Sequence, residues 1–139
     1  MGELAGSRFS SEMQVRPDDI DMNEHVHASR YFDYVLAARY DQMERCYKMG
    51  MDEFLQAGLG WFVNRFEIEY KRPLQIAEWF IVTTWVAKIE KASVDVAFEI
   101  TRRSNGKSVC SGVGGYTLVN RATGRAEMIP PNIVEKYSI

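Results

Sequence analysis

Apolar residues recur along this chain with two periods. Between Ala28 and Gly50, the residues Tyr31, Phe32, Val35, Leu36, Ala38, Met43, Cys46 and Tyr47 return at steps of three and four, the mark of an amphipathic helix. Arg30, Asp33, Arg39, Asp41, Glu44, Arg45 and Lys48 fall mostly on the opposite side. The spacing predicts a helix of over twenty residues, stopped at Gly50, since glycine readily closes a helix. Asp52 is placed to cap a short further turn, Glu53 to Ala57, and Gly58-Leu59-Gly60 is a break.

On both sides of this segment the period is two, as in strands. Arg8 to Val15 predicts a first strand, ended by Pro17, because proline cannot donate to a ladder. Trp61 to Lys71 predicts another, with Phe62, Phe66, Ile68 and Tyr70 on one face and Arg65, Glu67, Glu69 and Lys71 on the other. Asn64 interrupts its apolar phase; it marks either a strand end near water or a polar group facing a ligand. Trp79 to Ile89 is apolar on both faces, as in a strand covered on both sides. Ala92 to Arg103 alternates well, and Asn105-Gly106 then predicts a hairpin turn. Lys107 to Asn120 contains Gly112, Gly114 and Gly115. Glycine weakens a strand interior, so close approach of the helix, a bulge or a ligand channel is called for. After the turn Arg121-Ala122-Thr123-Gly124, a short last strand is expected over Arg125 to Ile129, before Pro130-Pro131.

A strand, one long helix and then four or five antiparallel strands predict an α+β layer with the helix across one face of a curved sheet. The 139 residues suit one domain with a core of its own. It is expected over residues 8–139, with residues 1–7 a disordered start. Gly2 and the Ser7 that follows formally match an N-myristoylation pattern, which nothing else in the sequence supports. A net charge of -2 gives no basic footprint, so no nucleic-acid partner is expected. No apolar run reaches membrane-spanning length. Cys46 and Cys110 fit no metal spacing and suit reduced core thiols. The expectation is a cytoplasmic protein without a membrane partner.

Candidate chemistry is concentrated in Asp19-Ile20-Asp21-Met22-Asn23-Glu24-His25-Val26-His27, just before the helix. A carboxylate there can serve as general base or nucleophile. The free N–H groups and positive dipole of a helix start can hold an oxyanion. Together they could hydrolyse a thioester; equally, Asp19 and Asp21 could simply cap turns and the helix. Ser29 or Asn23 could cap the helix. His25 and His27 form H-x-H, but no second cluster completes a metal shell, so no metal is expected.

The segment Asp19 to Tyr31, with Ala38-Arg39, Glu69 to Leu74 and Leu118-Val119-Asn120, resembles the hot-dog-fold thioesterases of the 4-hydroxybenzoyl-CoA and acyl-CoA type. Their pattern is Asp-x-Asp, a polar run ending Gly-His-Val-Asn-Asn, then x-x-Tyr and a helix ending in Ala-Arg. The resemblance spans nearly the whole chain. It implies a helix wrapped by a curved antiparallel sheet of five or six strands. It implies hydrolysis of an acyl-CoA or acyl-carrier-protein thioester, with CoA entering only as part of the substrate and no other cofactor. Asp21 matches the catalytic acid and His25 the histidine of the Gly-His-Val run. The backbone N–H near Ala28 would polarise the carbonyl. Tyr31 and Asn64 are candidates to line the substrate site, Phe62, Phe66 and Trp61 the acyl pocket, and Arg72, Lys71, Lys88 or Lys91 could meet CoA phosphates. The site would lie between subunits of a homodimer or homotetramer.

Three departures stand out. Glu24 replaces the usual glycine, His27-Ala28 stands where Asn-Asn is common, and Leu36 stands where many members carry a helix glutamate. Two other functions suit parts of the pattern. One is a hot-dog hydratase or dehydratase, whose Asp-x-Asn-Pro-x-His mark is only half met by Asp21-Met22-Asn23-Glu24-His25. The other is a non-catalytic module that binds acyl thioesters.

Overall fold

The computed structural model describes residues 2, 3 and 6–139; of the start expected to be disordered, Met1, Leu4 and Ala5 lie outside the described residues. The strands are β1 (Gly2–Glu3), β2 (Phe9–Gln14), β3 (Leu59–Tyr70), β4 (Trp79–Ile89), β5 (Ser93–Arg102) and β6 (Ser108–Asn120). The helices are α1 (Arg30–Arg45), α2 (Met51–Gln56) and α3 (Pro131–Tyr137). All strand pairs are antiparallel, and the path across the sheet is β1-β4-β5-β6-β3. β2 shares with β1 the outer edge of β4: Phe9 to Gln14 face Thr84 to Trp79, while Gly2 and Glu3 face Ile89 and Lys88. The α+β sheet-and-helix arrangement is the expected one, with regular structure reaching back to Gly2.

α1 lies over β2 and β4 and turns Tyr31, Tyr34, Val35, Ala38, Arg39, Gln42 and Met43 inward. Its first half packs into a cluster with Val26, Leu74, Phe80, Phe98 and Ile100. Its last turn joins a second cluster with Phe54, Leu118, Ile129, Ile133 and Tyr137. At 16 residues α1 is shorter than the expected helix of over twenty. It ends before Gly50: the Tyr47 N–H reaches back to the Gln42 carbonyl and the Met49 N–H to that of Met43, with Lys48 in the left-handed region at φ 61°. Gly50 instead precedes the first turn of α2.

Arg39, placed by its charge on the solvent side of the helix, is 7% exposed. A buried polar chain takes it in. Its Nη1 donates to Thr84 Oγ1 at 3.2 Å, Thr84 donates to Gln42 Oε1, Gln42 Nε2 donates to Ser11 Oγ at 3.0 Å, and Ser11 donates to Asp41 at 2.7 Å. Buried polar groups need such partners, and the chain leads from the core to a half-exposed carboxylate.

β3 shows why its apolar phase breaks at Asn64. The register with β6 slips between Val63 and Arg65, so Asn64 is the extra residue of a bulge. Before it, Leu59, Trp61 and Val63 are the more buried positions; after it, Phe66 and Ile68 are. The single face predicted for Phe62 through Tyr70 is therefore split: Phe62 is 61% exposed on the far side. The same neighbourhood explains the glycines of β6. A Cβ on Gly115 would come within 2.6 Å of Asn64 Oδ1, and one on Gly112 would overlap the Glu67 carbonyl. Close approach of β3, and not of α1, requires Gly112 and Gly115, whereas Gly114 makes room for Tyr116 of its own strand.

β4 buries Phe80, Val82, Thr84 and Val86 completely or nearly so, while Ile81, Thr83 and Trp85 stay half-buried. Among the described residues one of its two apolar faces is fully covered, and the Arg8 guanidinium lies 3.6 Å over the Trp85 ring on the other. The last strand expected over Arg125 to Ile129 is a single bridge between Val119 and Ala126. Beyond it α3, which the alternation did not predict, begins at Pro131 and buries Ile133 and Tyr137. Its signal is present in the sequence: proline at the first helical position and apolar residues at 133, 134 and 137.

Candidate active site

The polar stretch before α1 is a folded loop clamped by four contacts. Ile20 and Val26 form a bridge across it, and His25 bridges to Gln75. The Val26 N–H donates to the Leu74 carbonyl at 2.9 Å, and the His27 N–H returns to the Asp19 carbonyl at 2.9 Å. Asp19 is the buried anchor, 5% exposed. It accepts from Tyr34 Oη at 2.7 Å and from the Arg16 N–H at 3.0 Å, with Arg30 Nε 3.7 Å away. Asp19 is thus committed to structure, and burial together with this hydrogen bond drives the Tyr34 phenol upward.

Asp21 is held differently. Its Oδ1 accepts from the Asn23 N–H at 2.8 Å and the His25 N–H at 3.2 Å, while its own N–H donates to the His25 carbonyl at 2.8 Å. Among the described residues nothing hydrogen-bonds its Oδ2. The carboxyl is held below the usual aspartate value, chiefly by the Asn23 amide; partial burial opposes this, and the His25 amide and the His27 and His25 rings reinforce it. A carboxylate with one oxygen fixed by backbone and the other open can accept a proton from water, or attack.

Glu24 takes φ 64°, the conformation that glycine adopts without cost. Its N–H donates to the Asp21 carbonyl at 3.1 Å, closing the turn that presents Asp21. The chain direction at this point therefore matches what a glycine would give, although the residue is an acid. Met22 is almost wholly exposed at the tip.

The turn into α1 runs through His27, Ala28 and Ser29. Ser29 occupies the N-cap position without a side-chain cap bond, and the Arg30 N–H donates to the His27 carbonyl. The cap expected from Ser29 or Asn23 is thus not made by a side chain. The Ala28 carbonyl accepts from Tyr70 Oη at 2.9 Å, and no hydrogen bond engages the Ala28 N–H among the described residues.

The remaining predicted residues spread out. Tyr31 is 3% exposed, and its hydroxyl accepts the Leu74 N–H at 3.0 Å. It props the loop that holds Val26, and it lies in the core instead of along an open site, because the first inward position of α1 falls there. Asn64 sits on the bulge and donates to Thr117 Oγ1 at 2.6 Å. Arg72 Nη1 donates to the Ser108 carbonyl at 2.6 Å. Lys88 lies 2.7 Å from Glu90. Of the expected acyl-pocket aromatics, Trp61 lines a cavity beside α1. Phe66 packs at 4.5 Å on Phe32 and stacks on Phe98. Among the described residues no three His, Cys, Asp or Glu side chains group as metal ligands. Among the described residues no helix is long and apolar enough to cross a membrane.

Known proteins share this fold. The chain is 21% identical over 129 residues to the long-chain acyl-CoA thioesterase FadM of Escherichia coli, covering 92% of this chain and 96% of that one. It superposes on a DHNA-CoA thioesterase from Staphylococcus aureus with a TM-score of 0.88 at 19% identity, over 94% of this chain and 89% of the other. It also superposes on a protein described as an oleoyl thioesterase from Lactobacillus plantarum, with a TM-score of 0.88 at 17% identity and 96% of this chain covered. The chain spans about half of that protein, 51%. The fold is therefore the hot-dog fold. The family described as the thioesterase-like superfamily matches residues 15–137. The chain belongs to the thioesterase-like superfamily and is a thioester hydrolase.

Proposed function

We propose that the chain hydrolyses an acyl-CoA or acyl-carrier-protein thioester with Asp21 as the catalytic carboxylate. The observation that carries this is the asymmetry of Asp21: Oδ1 is fixed by the Asn23 and His25 amides, while Oδ2 is open. Oδ2 takes a proton from water as the water oxygen attacks the thioester carbonyl. The new oxyanion is met by backbone N–H groups at the start of α1, with the unengaged Ala28 N–H the first of them. Collapse breaks the C–S bond, and the thiolate takes the proton from Asp21. Acid and thiol leave, and water is the only co-reactant.

His25 acts through its backbone as a positioning residue for Asp21, and its ring adds a favourable field. Direct attack by Oδ2 to form a mixed anhydride uses the same free oxygen, so it stays as the second mechanism. Single turnover in ¹⁸O-water separates the two. General-base catalysis puts the label in the released acid and leaves the carboxylate unlabelled, so label in Asp21 marks an anhydride opened at the aspartyl carbonyl, a route that only nucleophilic attack provides.

Similarity to the long-chain acyl-CoA thioesterase supports a CoA thioester as substrate. A homodimer or homotetramer completes the proposal. It is supported by β3, which forms one end of the sheet path over 12 residues with Phe62 exposed beside it; a long open edge invites pairing. Thiol release across aryl-, short- and long-chain acyl-CoAs tests the activity. Hydration of an enoyl-CoA without thiol release would contradict it.

A further inference from the structure

Tyr70 ends β3, where it pairs with Cys110 of β6. Its side chain is half-exposed, and a half-exposed phenol can be satisfied by water. This one donates instead to the Ala28 carbonyl at 2.9 Å, across 42 positions of sequence. The backbone beneath it is pinned, since the Lys71 and Arg72 N–H groups both donate to the Val109 carbonyl, at 2.8 and 3.0 Å. The Tyr70 ring stands edge-on to Tyr31, 5.5 Å between centroids. Tyr31 accepts the Leu74 N–H, and the Leu74 carbonyl holds Val26. The two tyrosines therefore grip the exit of the Asp21 loop together, one through Leu74 and Val26, the other at Ala28. Partial burial pushes the Tyr70 phenol upward, so its proton stays on the oxygen.

The group that Tyr70 reaches is the peptide joining Ala28 to Ser29. A peptide is planar, so holding its carbonyl also holds its N–H, which belongs to Ser29. Ser29 is the N-cap of α1, where helix geometry leaves N–H groups open. Among the described residues no hydrogen bond engages the Ser29 N–H, just as none engages that of Ala28. A bond donated to the carbonyl also polarises the peptide and strengthens its N–H as a donor. The other ties of this turn are at His27, whose N–H meets the Asp19 carbonyl and whose carbonyl accepts from Arg30. Ser29 makes no side-chain cap bond that could replace Tyr70.

We infer that Tyr70 is a positioning residue of the hydrolase, orienting the Ala28–Ser29 peptide so that the Ser29 N–H joins that of Ala28 on the oxyanion. The inference rests on the thioester hydrolysis at Asp21, with the oxyanion at the start of α1, proposed above. The test is Tyr70→Phe, which keeps the ring and its contact with Tyr31. It is expected to lower kcat by about five- to twentyfold, a fraction of the roughly 10²–10³ lost when an oxyanion donor is removed outright. KM is expected to change by less than about twofold, because the bond matters most once the oxyanion forms. The factor is expected to be the same for short- and long-chain acyl-CoAs, which share the carbonyl. Two probes separate orientation from a merely structural role. S-trifluoroacetonyl-CoA, whose hydrated ketone mimics the tetrahedral adduct, is expected to bind the variant more weakly by about the factor lost in kcat/KM. An S-alkyl-CoA thioether, which has no carbonyl, is expected to keep its Kd, with the melting temperature within a few degrees of wild type. Independently of any variant, S-trifluoroacetonyl-CoA is expected to move the wild-type Ser29 amide resonance well beyond the shift that the thioether causes. An unchanged kcat, a raised KM alone, equal weakening of both probes, or equal shifts at Ser29 would overturn the role of Tyr70. With turnover still abolished by Asp21→Asn, each of these outcomes leaves the hydrolase standing. Wild-type turnover in Asp21→Asn would overturn the reading beneath it.

Discussion

The Asn23 amide and the Asp21 carboxylate are 2.8 Å apart, and this contact, two residues long, sets the protonation state of the proposed base. The amide favours the charged form, so the carboxyl titrates below the ordinary aspartate range. Asp21 therefore stays ionised, and competent as a base, when mild acid would begin to protonate a free aspartate. The acid limb of kcat/KM should lie below pH 3.9, the usual aspartate value, or be replaced there by unfolding. An acid limb centred between pH 5 and 7 would mean that another group governs the rate.

Glu24 pays a conformational penalty at φ 64°. Glu24→Gly should relieve it and raise stability by about 0.5–1 kcal/mol, seen as a melting temperature a few degrees higher. A lower melting temperature would show that the Glu24 side chain contributes more than its backbone costs.

Tyr31→Phe leaves the buried Leu74 N–H without its acceptor, at a cost of about 1–3 kcal/mol. Because the Leu74 carbonyl holds the Val26 N–H, the loss should also loosen the Asp21 loop. Denaturant midpoint and amide exchange at Val26 read the two effects. Unchanged exchange at Val26 would separate Tyr31 from the site.

The two kinds of glycine should respond differently. Gly124→Ala has open space but a φ of 72°, so it should cost about 1 kcal/mol. Gly112→Ala drives a Cβ into the Glu67 carbonyl and the Phe98 ring, and should cost about 3 kcal/mol or more. Urea midpoints of the two variants give the comparison; equal losses would mean β3 can yield at its bulge.

What could be read from the sequence was what repeats. The apolar run of β4, the alternation of β5, the Asn105-Gly106 turn and the helical stripe of α1 each appear where the sequence pattern placed them. Three features escaped because a local event overrides the period. The bulge at Asn64 moved Phe62 to the far face, the left-handed turn at Lys48 stopped α1 before Gly50, and α3 is too short for a period to stand out. Arg39 escaped for another reason: its charge suggested solvent, and only the Thr84–Gln42–Ser11 chain makes its burial affordable. Within the site, Asp21 stood out through the resemblance to the hot-dog thioesterases, since Asp19 shares its position ahead of the helix. The division of labour between Asp19 and Asp21 did not, because it depends on Tyr34 and Arg16 arriving from other elements.

The most direct test of the account is Asp21→Asn, assayed for thiol release and for binding of an uncleavable S-alkyl-CoA thioether. Asparagine keeps an acceptor for the Asn23 amide but cannot take a proton. The account predicts kcat lower by about 10²–10⁴-fold, with the thioether Kd changed by less than about threefold. Turnover at the wild-type rate would contradict it.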